Sequence, residues 1–201
     1  MGLITGGSPR PTERVMIFID GGYLRKTYRE LFGDDKIDYL ALPRGLLNLY
    51  EATPFNIFRA DLIRAYYYDA IVSEKEPERD EQQKYFNSVS GNFSITVRLG
   101  ELVKSSKGEP RQKGVDILMA IDTLSKAYMN HYDVAMFLLG DRDFIPLIEA
   151  VKNSGKKTFG FYYGIEDEKG QIDSKVPDEL SRTFDFRVAL LEETLKKWRK
   201  T

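Results

Sequence analysis

Two stretches of the chain are apolar without interruption and end in the same way. Val15-Met16-Ile17-Phe18-Ile19 runs into Asp20-Gly21-Gly22, and Val134-Ala135-Met136-Phe137-Leu138-Leu139 runs into Gly140-Asp141. Continuous runs of this length, rich in β-branched and aromatic residues, predict strands covered on both faces, as in a parallel sheet. Residues 62–68 (Leu-Ile-Arg-Ala-Tyr-Tyr-Tyr) and 158–163 read as further strands, and residues 93–99 alternate apolar and polar, which predicts an edge strand with one wet face. Between them lie helical patterns. Residues 23–32 place Leu24, Tyr28 and Leu31 at helical spacing, and Gly33 ends the segment. Residues 43–50 begin with a proline suited to a first turn. Residues 74–90 form a charged helix with Tyr85, Phe86 and Val89 inward. Residues 115–128 carry Ile117, Leu118, Ile121, Leu124 and Tyr128, read as one apolar stripe facing the core. Residues 143–153 place Phe144, Leu147, Ile148 and Val151 inward before Gly155, and residues 187–199 read as a terminal helix. Strands alternating with helices imply right-handed crossovers and a three-layer α/β/α sandwich around a mostly parallel sheet.

Length sets the domain count. The 201 residues suffice for one well-packed domain, so residues 1–12 read as a loose leader and residues 13–201 as a single domain. Thirty basic residues nearly cancel 31 acidic ones, so any attraction for a polyanion must come from a local patch. The absence of cysteine excludes disulfides and thiolate zinc sites and fits a cytoplasmic protein. No apolar run approaches the length of a membrane span. Leu190, Leu191, Leu195 and Trp198 could pack on the domain or on a second copy, leaving room for a homodimer.

In a parallel sheet the C-terminal ends of the strands share one edge, and that edge is where open α/β sheets build their sites. Asp20 and Asp141 should therefore lie near each other. Asp116 opens the long helix after Lys113-Gly114, and Asp143 follows Asp141 by two residues. Asp116 and Asp143 each have an alternative role as helix caps. Carboxylates gathered on one rim repel unless a cation relieves them, and hard oxygen donors suit Mg²⁺ or Mn²⁺. Asp122, six residues past Asp116, points roughly 240° around the helix. With Lys126 four residues on as an ion-pair partner, it reads as a supporting residue. The basic segment Lys104, Lys107, Arg111 and Lys113 leads into Asp116 and is a candidate grip for phosphates, to which Arg25, Lys26 and Arg142 could add. Tyr66, Tyr67 and Tyr68 lie inside a strand and read as core. The single histidine, His131, reads as a surface or capping residue, which argues against histidine-based cleavage.

Three motifs in order, Phe18-Ile19-Asp20-Gly21-Gly22-Tyr23-Leu24, Lys113-Gly114-Val115-Asp116 with Ala120-Ile121-Asp122, and Leu139-Gly140-Asp141-Arg142-Asp143-Phe144-Ile145-Pro146-Leu147, resemble the NYN domain of the PIN-like nuclease superfamily, in particular its LabA-like bacterial group. The resemblance covers roughly residues 15–163. It implies a PIN-like sheet and metal-dependent hydrolysis of RNA, with Asp20, Asp116 and Asp141 holding Mg²⁺ or Mn²⁺ and Asp143 completing a catalytic acidic set. Water attack at phosphorus would leave a 5′-phosphate and a 3′-hydroxyl. Tyr23 stands where many members carry Asn, a place that would help position substrate or water. A nuclease-like RNA-binding module that does not cut is the alternative. An aspartyl-phosphate phosphatase is disfavoured, because its second Asp would fall at Gly22.

Overall fold

The computed structural model describes residues 10–54, 56–91, 95–104 and 110–200; of Lys104 and Pro110 it describes the backbone. The chain runs β1 (Thr12–Asp20), α1 (Gly21–Phe32), α2 (Ala41–Glu51), β2 (Arg59–Val72), α3 (Arg79–Ser90), β3 (Ile95–Lys104), β4 (Pro110–Lys113), α4 (Val115–Tyr128), β5 (Val134–Leu138), a 3₁₀ turn (Arg142–Phe144), α5 (Ile145–Asn153), β6 (Lys157–Glu166), β7 (Ile172–Ser174), α6 (Asp178–Thr183), β8 (Phe186–Leu190) and α7 (Glu192–Lys196). The strand order is β4-β3-β2-β1-β5-β6-β7, with β8 also paired to β6. All pairings are parallel except β3–β4 and β6–β7.

The two apolar runs become the two central strands, β1 and β5, as an unbroken pattern requires. Phe18 pairs with Tyr66 on one side and Phe137 on the other, and the three rings stack across the sheet. Val15, Ile17 and Ile19 face the layer formed by α1, α2, α3 and α7, while Met16 and Phe18 face α4, α5 and α6. Tyr66, Tyr67 and Tyr68 are buried on alternate faces of β2. Among the described residues no helix is long and apolar enough to cross a membrane.

β3 continues past residue 99 to Lys104 and pairs antiparallel with β4, Val103 opposite Arg111. Two segments differ from the pattern reading. The end of the chain is a strand followed by a short helix. Phe-Arg-Val-Ala-Leu alternates and joins the sheet beside β6, and Leu190, Leu195 and Trp198 are buried in their own domain. The second is α4, which turns a different face inward. Val115, Met119, Asp122, Thr123 and Ala127 are buried, whereas Ile117, Ile121 and Tyr128 are 65%, 59% and 74% exposed. Asp122 can be buried because it is paired. It accepts from Arg98 at 2.7 Å, from Lys126 at 3.1 Å and from the Tyr68 hydroxyl at 3.3 Å. A charge so compensated can occupy a core face that an apolar residue would otherwise take.

The terminal segment is fastened tightly. Trp198 lies so close over Gly45 of α2 that a Cβ there would sit 2.2 Å from the indole. Gly45→Ala is therefore expected to cost about 1–3 kcal/mol by overpacking, measured as a lower urea midpoint at constant slope.

Candidate active site

Asp20 is the last residue of β1 and caps α1: its carboxylate accepts the Tyr23 amide at 3.0 Å. The chain can turn there because Gly21 leaves room for the Tyr67 ring, which a Cβ would approach to 2.4 Å. Asp141 does the same on the neighbouring strand, accepting the Asp143 amide at 3.0 Å and starting the 3₁₀ turn. The cap is thus Asp141, and Asp143 is the donor residue, exposed on the turn. Asp116 is not a cap either. Gly114, at φ 80°, takes the cap position of α4 and aims the first turn, with Asp116 exposed on it, into the same cleft.

That cleft has a volume of about 630 Å³ and is lined by Asp20, Tyr23, Lys26, Gln112, Asp116, Asp141 and Arg142 among others. The acids sense one another across it. Burial, followed by the nearby Asp69 and Asp116 charges, pushes Asp20 up to about 6, against the opposing hydrogen bond from the Tyr23 amide. Partial desolvation at the cleft, then Asp141 and Asp143, raise Asp116 above the usual carboxylate range. Among the described residues no three acids or histidines are close enough to form a ready-made metal cage. The acids form an open, electrostatically coupled rim.

Two neighbours lie outside the sequence motifs. Asp69 of β2 is completely buried beside Asp20; it accepts from Arg25 at 2.8 Å, from the Tyr67 hydroxyl at 3.1 Å and from its own neighbour's amide at Ala70. Its signal is an acid inside Tyr-Tyr-Tyr-Asp-Ala-Ile-Val, a charge in an otherwise apolar strand. Gln112 of β4 reaches the same carboxylate at 3.5 Å and so ties the hairpin to the cleft wall. Arg25, expected to face substrate, is instead drawn inward to Asp69 and lies over the Tyr85 ring. Arg142 and Lys26 line the cleft, and Arg111 and Lys113 are exposed on β4. Lys104 lies at the end of β3 with its side chain outside the description, and Lys107 lies outside the described residues. His131 is exposed away from the acids, its amide bonded to Lys126 O. Tyr23 packs its ring against Gly140, and its hydroxyl accepts the Tyr163 amide at 2.8 Å.

The chain is similar over 93% of its length to a crystal structure of a Vibrio parahaemolyticus protein of unknown function, 98% of which is covered, at 16% identity and a TM-score of 0.59. At that identity the likeness concerns the fold. No curated protein matches the chain in sequence. The sequence profile of the NYN domain matches residues 14–187, from the start of β1 into β8. The chain therefore belongs to the NYN domain family, within the PIN-like nuclease superfamily.

Proposed function

We propose that the protein is a metal-dependent ribonuclease that hydrolyses RNA phosphodiester bonds in the cleft between Asp20, Asp116 and Asp141. The observation that carries this reading is that Asp20, Asp116 and Asp141, from three distant segments, line one cleft. Burial with the Asp69 and Asp116 charges raises Asp20, and burial with the Asp141 and Asp143 charges raises Asp116. Carboxylates held at such an energetic disadvantage are relieved by a cation.

The donor set fits Mg²⁺ or Mn²⁺. These ions keep much of their water and are commonly bound by one or two carboxylates together with substrate phosphates, so an open rim suits them better than a closed cage. One or two of Asp20, Asp116 and Asp141, together with substrate phosphate, would hold the ion, with Asp143 adding negative charge beside it. When bound, such a cation offsets charge at the scissile phosphate and lets water attack at neutral pH. The chain's own residues do the rest. The caps on Tyr23 and Asp143 amides hold Asp20 and Asp141 in fixed orientation. Arg142 and Lys26 offer positive charge within the cleft, and Arg111 and Lys113 extend it along β4. The Asp122 cluster with Arg98 and Lys126 anchors α4, and with it Asp116.

Labelled single-stranded and structured RNA incubated with Mn²⁺ tests this. The wild type is expected to release 5′-phosphorylated products, chelation to stop it, and Asp141→Asn to lose most of the rate. Equal product from wild type and Asp141→Asn would overturn the site. RNA binding with no cleavage and no Mn²⁺-induced rise in Tm would instead identify a non-cutting RNA-binding module.

A further inference from the structure

We infer that Tyr23 is a positioning residue, a strut between α1 and β6 that sets the separation of Asp20 and Asp141 across the cleft. The inference rests on the ribonuclease reading and assigns a residue to that site.

Three contacts of Tyr23 link α1 to the acid-bearing junctions and to β6. Its amide donates to Asp20 Oδ1 at 3.0 Å, which fixes the β1 side. Its ring lies on Gly140, immediately before Asp141, so closely that a Cβ there would be 2.2 Å from it. Its hydroxyl accepts the Tyr163 amide at 2.8 Å. The last contact has a topological reason. The register of β5 and β6 ends at Leu138 and Phe161. The Tyr163 amide lies two residues beyond that pairing, although Tyr163 still pairs with Leu190 of β8, and the phenol oxygen accepts from it. A side chain of this length therefore spans from one acid-bearing junction, under the second, to the strand beyond it. Thr27 Oγ donates to the Tyr23 carbonyl at 3.0 Å and fixes the same turn of α1. Because Gly140 has no side chain, the ring can seat directly on the backbone that carries Asp141; the Tyr23–Gly140 pair acts as one unit.

The consequence is that spacing, and hence cation affinity, depends on a residue that is not itself required as a ligand. The test compares wild type, Tyr23→Phe, Gly140→Ala, Tyr23→Leu, Tyr23→Leu/Gly140→Ala and Asp141→Asn. Mn²⁺ binding is measured by the spectroscopic signal of the free ion, Tm by thermal unfolding, and kcat and KM with labelled RNA. Tyr23→Phe keeps the ring and loses the tether to β6. It is expected to weaken Mn²⁺ binding and lower kcat about tenfold, the low end of the effect of removing an orienting partner. KM should stay within about twofold, and saturating Mn²⁺ should restore most of the rate, which general structural damage would not allow. Gly140→Ala should match that loss alone but add little in the Tyr23→Leu background, the non-additivity of a contacting pair. If wild type binds Mn²⁺, Asp141→Asn does not, and Tyr23→Phe equals wild type, the strut is overturned while the ribonuclease reading stands. A wild type that neither binds Mn²⁺ nor cleaves overturns both.

Discussion

Asp20→Asn is expected to remove cleavage and, in the presence of chelator, to make the protein more stable. Burial and the neighbouring Asp69 and Asp116 charges raise Asp20 from 3.8 to about 6. Between about pH 4 and pH 6 the folded protein therefore holds a proton that the unfolded chain has already released. Folding stability falls as pH rises through that window, and above it the protein carries the full cost of an ionised carboxylate in a desolvated place. Asparagine keeps the oxygen that accepts the Tyr23 amide and discards the charge. The gain should be about 1–2 kcal/mol at pH 8, where each shifted unit is worth about 1.4 kcal/mol before allowing for solvent at the cleft mouth. That corresponds to a rise in Tm of several degrees, at roughly 2–4 °C per kcal/mol for a domain of this size. At pH 4 the difference should nearly vanish. Activity should fall on the order of 10²–10³-fold, the scale of losing one preorganised charge at a reacting centre. Thermal unfolding of both proteins at the two pH values, with cleavage assayed alongside, decides it. A Tm difference that is the same at pH 4 and pH 8 would mean that Asp20 carries no such penalty.

The central strands and their terminal acids can be read from the chain because they rest on local patterns. An unbroken apolar run closed by Asp and glycine marks a buried strand and the turn that follows it, and β1 and β5 fall where that signal places them. Helix α5 follows its periodicity for the same reason, with Phe144, Leu147, Ile148 and Val151 all buried. What periodicity cannot decide is α4, which has apolar residues on more than one face. The choice between faces falls to Asp122, whose burial depends on Arg98 from a strand distant in sequence. Long-range compensation of this kind leaves no trace in the spacing along one helix. Asp69 escapes the pattern by the same logic. It sits within β2 rather than at its end, since the strand continues to Val72, and its partner Arg25 comes from a different element. The terminal strand reads as helix because its five residues are too few to distinguish alternation from one helical turn; the open edge of β6 settles the matter by pairing with it. The acids, then, are legible one by one. Their mutual coupling, and the Arg25–Asp69 pair behind them, belong to tertiary structure.

Removing that cation should do more damage to the fold than any change on the rim. Asp69 is 0% exposed and sits within electrostatic reach of Asp20, and Arg25 is the charge paired with it. Arg25→Met keeps the length of the side chain and its packing against Tyr85 but strands a buried carboxylate. Breaking a buried pair from one side costs about 3–5 kcal/mol, whereas removing both charges together is often close to neutral. Arg25→Met should therefore lower stability by that amount in urea unfolding. Arg25→Met/Asp69→Asn should recover most of it, since the amide oxygen of the substituted side chain can still accept from the Ala70 amide while its NH2 group donates to the Tyr67 hydroxyl oxygen. The same pair of variants separates this role from phosphate binding. If Arg25 served RNA, Arg25→Met would leave the unfolding midpoint where it was and raise KM instead, and Asp69→Asn would rescue nothing. Restored stability in the double variant would tie Arg25 to the inside of the protein and leave Arg142, Lys26 and the hairpin to meet the substrate.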